Sequence, residues 1–276
     1  MRAPLILCLM SLFVPAASAA DEAAKLGSTV FTWETREARP TDVGEYRGVA
    51  RNPTATMREF ECHITCLNGG LASHAPHIHP QEELIILREG TLDVHLNGVE
   101  TRVGPGSLFF FASYDWHAVK NVGDTPAKYF VFNFSSAATA AFKDKLPLPA
   151  APGRMGSAIW NWNDLKAVAT KTGERRAVVD SPTSTLANFS CHVTTLNAGI
   201  APHPPHRHGD EEIVFLSEGE LDVTINGVTT RATPGSIVFV SSGDEHGWKN
   251  AGDTPATYYV MRVKTEATPV ASSADL

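Results

Sequence analysis

Leu92-Asp93-Val94-His95-Leu96 alternates apolar and polar side chains, then runs into Asn97-Gly98, the strongest short signal for a β-hairpin. The pattern returns at Leu221–Ile225, followed by Asn226-Gly227. Pro105-Gly106 and Pro234-Gly235 mark turns before the runs Ser107–Ala112 and Ser236–Ser241. Tyr129–Phe134 and Tyr258–Val263 are aromatic and β-branched, as strands prefer. Many short strands at regular spacing predict an all-β sandwich or barrel. The spread of 21 glycines and 18 prolines along the chain agrees with many turns.

These paired patterns come from one internal duplication. Phe60–Phe134 aligns with Phe189–Val263 at a constant offset of 129 without a gap, and 41 of the 75 pairs are identical. The register extends upstream, where Ser28 matches Ser157, Phe31 matches Trp160, Trp33 matches Trp162 and Gly44-Glu45 matches Gly173-Glu174. A repeat of this length predicts two homologous domains. We assign residues 21–134 to the first and 157–265 to the second. The Ala/Pro-rich segment 135–156 reads as a linker with a short helix, and 266–276 as a tail.

Composition narrows the class. With 43% hydrophobic residues over 276 positions, each domain can bury a core. A net charge of −7 and no basic cluster argue against a nucleic-acid groove. Arg2, the apolar run Leu5–Val14 and Ala17-Ser18-Ala19 have the form of a cleaved secretory signal over residues 1–20. Its removal leaves 22 basic and 30 acidic residues, and the expected location is periplasmic or secreted. That run is too short to span a bilayer, and no later segment reaches the ~20 apolar residues needed. Cys62 and Cys66 would lie ~13 Å apart along a strand, beyond the ~7 Å limit of a disulfide. Only Cys191 could pair with either, in a bridge joining the two repeats; because Cys62 and Cys191 are repeat equivalents, buried free thiols are the favoured reading.

The chemistry lies in a stretch written twice. Pro76-His77-Ile78-His79-Pro80-Gln81-Glu82-Glu83 is completed by His117, and Pro205-His206-Arg207-His208-Gly209-Asp210-Glu211-Glu212 by His246. Alternate strand residues share a face, so His77 and His79 project together. Glu83 shares that parity and can converge on the same point if the strand stays regular or turns locally, while His117 arrives from another strand. Three imidazoles and a carboxylate suit one divalent metal per repeat: Mn²⁺, Fe²⁺, Co²⁺, Ni²⁺, Cu²⁺ or Zn²⁺. A lone strand histidine is usually structural; six histidines and two glutamates recurring together reverse that expectation.

The spacing His77-x-His79-x3-Glu83-x6-Gly90 resembles the first motif of the cupin superfamily. Gly106-x5-Ala112-x-Tyr114-x2-His117-x3-Asn121 resembles the second, and both recur from His206 to Asn250. Ala112 and Ser241 stand where the second motif has proline, and Tyr114 where it has glycine. The resemblance covers nearly the whole mature chain. It implies a bicupin: two tandem double-stranded β-helix, or jelly-roll, barrels. It also implies that His77, His79, Glu83 and His117, and His206, His208, Glu212 and His246, are metal ligands.

Cupins of this kind include quercetinase-type dioxygenases, oxalate decarboxylases, isomerases and ureidoglycine aminohydrolases. Oxalate decarboxylases hold the substrate carboxylate with an arginine three residues before the first histidine ligand; His74 and His203 stand there instead. Ureidoglycine aminohydrolases replace one ligand with glutamine, unlike both sets here. The expectation is therefore an oxygenase or isomerase acting on a small aromatic or enolisable molecule. The alternatives are a decarboxylase, a hydrolase or a non-catalytic binding protein. Homo-oligomerisation is left open.

His74 and His203 are candidate substrate-facing groups. Differences between repeats point to specificity: Phe109 and Phe111 become Val238 and Val240, Trp116 becomes Glu245, Val119 becomes Trp248 and Asn133 becomes Arg262. If these line the barrels, Phe109, Phe111 and Trp116 make the first pocket aromatic, and Arg262 offers the second a carboxylate partner. Glu82 and Glu211 have the opposite strand parity and read as exterior or rim carboxylates, and His63 and His192 as structural residues.

Overall fold

The computed structural model describes residues 23–142 and 152–270. The expected secretory signal over residues 1–20, residues 143–151 of the linker and residues 271–276 of the tail lie outside them. Each repeat is a jelly roll of two antiparallel sheets. In the first, Leu108–Phe111, Glu82–Glu89, Ala127–Ser135, Glu59–Leu67, Gly44–Asn52 and Arg39–Thr41 lie side by side in the large sheet. Val99–Val103, Leu92–Leu96 and His117–Asn121 form the small sheet facing it. The second repeat copies this order at the same offset. Asn97 and Gly98 both take positive φ, at 48° and 88°, as the two-residue hairpin requires.

Alternation along Glu82–Glu89 explains the assembly. Ile85 and Leu87 point into the barrel with Leu92, Val94 and Phe109. Leu84 and Ile86 point outward, yet they too are fully buried, because the second barrel covers that face. Phe60, Phe110 and Phe130 meet Phe239, Phe189 and Phe215 there, with ring centroids 5.4, 5.3 and 4.1 Å apart. Each such ring contributes roughly 1.5–3 kcal/mol of burial, so the inter-barrel face is a shared core.

The barrels also exchange strands. Thr29–Phe31 pairs with Ile237–Val240 in the second barrel's large sheet, and Ala158–Trp160 pairs with Leu108–Phe111 in the first. The segment assigned to the first domain thus gives its first strand to the second. Trp162 follows the exchanged strand and lies on Gly106, where an added Cβ would meet its ring at 2.7 Å. Cys62, Cys66 and Cys191 are free thiols. Among the described residues no helix is long and apolar enough to cross a membrane.

Candidate metal centres

His77 and His117 form a reciprocal backbone pair, each amide donating to the other's carbonyl at 3.0 Å. The ladder stops there. Pro80 has no N–H to donate, and regular strand resumes only at Glu82. His77 and His79 therefore do not project from one regular strand, as alternation predicted; the bend through Pro80 carries His79 and Glu83 to the same point. The ligand nitrogens of His77, His79 and His117 lie within 4.8 Å of one another, as do those of His206, His208 and His246. Glu83 places its carboxylate 3.5 Å from His79 Nε2 and 3.9 Å from His117 Nε2. For Glu212 the distances to His208 and His246 are 3.3 and 3.7 Å.

Backbone carbonyls set the tautomers. His117 Nδ1 donates to Asp115 O at 2.8 Å, His79 Nδ1 to Gln81 O at 3.1 Å and His77 Nδ1 to His117 O at 3.3 Å. Each Nε2 is left as the lone-pair nitrogen that a metal needs. His208 and His246 repeat the arrangement on Asp210 O and Asp244 O. Burial holds His117 and His206 down to about 4, so both are neutral at pH 7. Burial alone would raise Glu83, but His79 and then His117 outweigh it and hold the carboxyl below its ordinary value.

The donor set fits a metal. His117 Nε2, His246 Nε2 and Glu212 Oε1 are buried without a hydrogen-bond partner. Orphaned polar atoms cost about 1–3 kcal/mol each, and one divalent cation at each convergence point would satisfy them.

Each centre is braced from the opposite barrel. Ser157 Oγ donates to Asp115 Oδ2 at 2.5 Å and accepts from the Ala112 amide at 2.8 Å, tying down the turn that delivers His117. Thr183 and Thr185 donate to Glu82, beside the ligand Glu83, at 2.5 and 2.9 Å. Ser28 braces Asp244 and Ser241, and Thr54 and Thr56 brace Glu211. Glu82 and Glu211 are thus completely buried rather than exterior, because the face opposite the ligands is the inter-barrel core. Burial raises both carboxyls against the lowering by their threonine donors.

The cavities above the two centres differ. The first, about 620 Å³, is lined by the ligands, His74, Phe111, Tyr129, His63, Glu61 and Asn133, among others. The second is about 280 Å³. Trp248 replaces Val119 there and Arg262 replaces Asn133, which fills the space. His74 and His203 line their cavities, with ring centroids 4.1 and 4.5 Å from those of His77 and His206.

Three expectations about the walls are corrected. Phe111 does line the first cavity, stacked on the His117 ring at 4.2 Å. Phe109 does not, because it packs behind Phe111 in the barrel core. Trp116 is 47% exposed outside the cavity, since its amide is spent on Asn97 Oδ1 at the turn. Arg262 lines the second cavity, but its Nε lies 2.6 Å from Asp210 Oδ2 and its charge is already balanced.

Sequence reasoning passed over a polar group that also separates the cavities. His63 and Glu61 both line the first, with His63 Nδ1 2.9 and 3.2 Å from the Glu61 oxygens and Asn133 Nδ2 donating to Glu61 at 2.8 Å. The signal was present as Glu61 against Ser190 and Asn133 against Arg262, two differences on neighbouring strands.

The cupin domain model matches residues 63–133 and 192–262. No curated protein sequence matches the chain significantly. Among solved structures, a Bacillus subtilis oxalate decarboxylase mutant superposes with a TM-score of 0.65 at 14% identity, covering 89% of this chain and 79% of that one. An oxalate decarboxylase–formate complex from Lactobacillus farciminis gives 0.65 at 15%, covering 91% and 90%. AerE from Microcystis aeruginosa gives 0.63 at 14%, covering 85% and 98%. At these identities the likeness establishes the fold, and chemistry has to be read from the cavities.

Proposed function

The chain belongs to the cupin family, and on that premise we propose that it is an exported, metal-dependent enzyme whose first barrel converts a small organic molecule. The reaction class is isomerase or oxygenase, and the substrate is enolisable or aromatic. The observation that carries this reading is that His77, His79, His117 and Glu83 converge at the wall of a cavity of about 620 Å³. A volume of that size admits a molecule of metabolite dimensions. A divalent ion held there supplies Lewis acidity toward a substrate oxygen.

The chain's own residues do the rest. Phe111 and Tyr129 give an apolar wall, while His74, His63 and Asn133 offer polar contacts around it. The second centre keeps the same ligands but opens into a narrower cavity, with Arg262 and Trp248 on its wall. It serves structure or a smaller ligand.

The test is conversion by metal-loaded protein of flavonols, catechols, 2-oxo acids and hydroxy-carbonyl compounds, followed by O2 uptake and proton NMR. Turnover of one class, abolished by Glu83→Ala and largely kept by Glu212→Ala at equal folding stability, supports the reading. The opposite ranking moves the chemistry to the second barrel, and equal partial losses leave no specialisation. Export is checked separately: the Arg2, Leu5–Val14 and Ala17-Ser18-Ala19 pattern calls for a mature N-terminus at Ala20 or Asp21. Cytoplasmic protein retaining Met1 would contradict it.

A further inference from the structure

We propose that Glu61 and His63 form a proton-transfer pair in the first cavity, acting on a neutral hydroxy-carbonyl compound bound between them and the metal centre. The proposal rests on the enzymatic reading above and narrows it to one residue pair and one substrate class.

The geometry is that of a carboxylate-oriented imidazole. Glu61 is buried and accepts from His63 Nδ1 at 2.9 Å and from Asn133 Nδ2 at 2.8 Å. Tyr46 stacks on the His63 ring with centroids 5.0 Å apart. The ring's position and tautomer are thereby fixed, which leaves Nε2 as a proton acceptor. Glu83, Asn133, Glu61 and Arg51 are successive register partners across four strands. His63 stands on the same strand as Glu61, two strands from the metal ligand Glu83, a separation of roughly 10 Å. A molecule of a few heavy atoms fills that gap.

The fold does not require this pair. The second barrel folds alike with Ser190 and Arg262 at the positions of Glu61 and Asn133. There Arg262 turns to Asp210, and His192 has no carboxylate beside it at the position Glu61 holds. A buried carboxylate kept on one cavity wall and dispensed with on its twin is accounted for by function.

Charge selects the substrate class. Beyond the metal ligands, the wall around His63 carries Glu59 and Glu61 against Arg51, while Glu45 is already paired with Arg47 at 3.4 Å. That balance opposes a carboxylate or dicarboxylate and admits a neutral α-hydroxy ketone or aldehyde. In the step, the proton on the carbon next to the carbonyl passes to His63 Nε2. The C–H electron pair becomes the C=C bond of an enolate, and the carbonyl π pair moves onto its oxygen. Delivery to the same carbon of a deuteron, taken up by His63 from solvent in place of the abstracted proton, completes exchange. Delivery to the neighbouring carbon, with the hydroxyl proton passing to the enolate oxygen as the new C=O forms, completes isomerisation, and neither route consumes an oxidant or reductant.

The experiment follows carbon-bound hydrogen exchange in D2O by proton NMR, using metal-loaded protein. The probes are dihydroxyacetone, glyceraldehyde and erythrulose, with 2-oxoglutarate as the anionic comparison. Exchange of at least one neutral probe, and little of the anion, is expected. His63→Gln should lower the rate about 100-fold or more and Glu61→Gln about 10-fold, with metal content and melting temperature unchanged. Free imidazole should restore exchange to His63→Gly, which a merely structural histidine would not permit. If His63→Gln exchanges at the wild-type rate while Glu83→Ala is silent, the pair is overturned and the enzyme reading stands. The pair is likewise overturned if only the anion exchanges, or if the protein turns over other compounds with O2 uptake but exchanges no neutral probe. No conversion of any compound overturns both.

Discussion

Thr183 of the second barrel donates its hydroxyl to the carboxylate of Glu82 in the first at 2.5 Å. The next residue, Glu83, is a metal ligand, so the ligand strand of one barrel is anchored by a loop of the other. The repeat returns the contact from Thr54 to Glu211 at 2.7 Å.

Removing both donors with Thr183→Val and Thr185→Val leaves the Glu82 carboxylate buried and under-bonded. Charge-assisted hydrogen bonds contribute about 1.5–3 kcal/mol each, so urea unfolding should show a loss on the order of 3 kcal/mol. Calorimetric metal titration should show the first centre weakened and the second little changed. Thr183→Ser, which keeps a hydroxyl, should recover most of the loss. Unchanged stability in the double valine variant would refute the anchoring role.

Ser157 makes a second prediction. It sits just before the exchanged strand Ala158–Trp160 and holds both Asp115 and the Ala112 amide. Ser157→Ala should raise the metal Kd of the first centre several-fold while the second, braced by Ser28, holds. Ser28→Ala should do the reverse. Equal weakening of both centres by either change would contradict cross-barrel bracing.

The third prediction concerns pH. His192 is pushed from its ordinary 6.5 down to about 4 by burial first and Arg175 second, with Arg262 and His203 adding and Glu212 opposing. Below pH 6.5 the unfolded chain takes up the proton that the folded imidazole refuses. Stability is therefore fully present above 6.5 and is lost as pH falls toward 4, by up to about 3 kcal/mol from this group. Denaturant midpoints of metal-free protein at pH 7 and pH 4.5 should differ less in His192→Gln than in the natural sequence. An identical difference in both would place the linkage elsewhere.

Much of this was legible in the chain. Alternation into Asn97-Gly98 gave the hairpin, the 129-residue offset gave two barrels, and eight ligands at repeated spacing gave the centres. What escaped was what the barrels do to each other. Parity put Glu82 on the face opposite Glu83, and so it is; its burial was invisible because an outer face normally meets water, whereas this one meets Phe189 and Phe215. The exchanged strands are three residues long, too short to show periodicity. Phe109 and Trp116 were misplaced because a repeat comparison shows which positions differ, not which way they point. His63 reads as structural in the chain because Glu61, its partner two residues earlier, gains meaning only once both face a cavity.

The measurement that tests the central claim most directly is bound metal per chain, by elemental analysis of fully loaded protein. Two divalent ions are expected in the natural sequence and one each in His117→Ala and His246→Ala, with spectroscopy or anomalous scattering locating the survivor at the intact centre. Two ions retained in either variant, or none bound by the natural protein, would contradict a metal held by three histidines and a glutamate in each barrel.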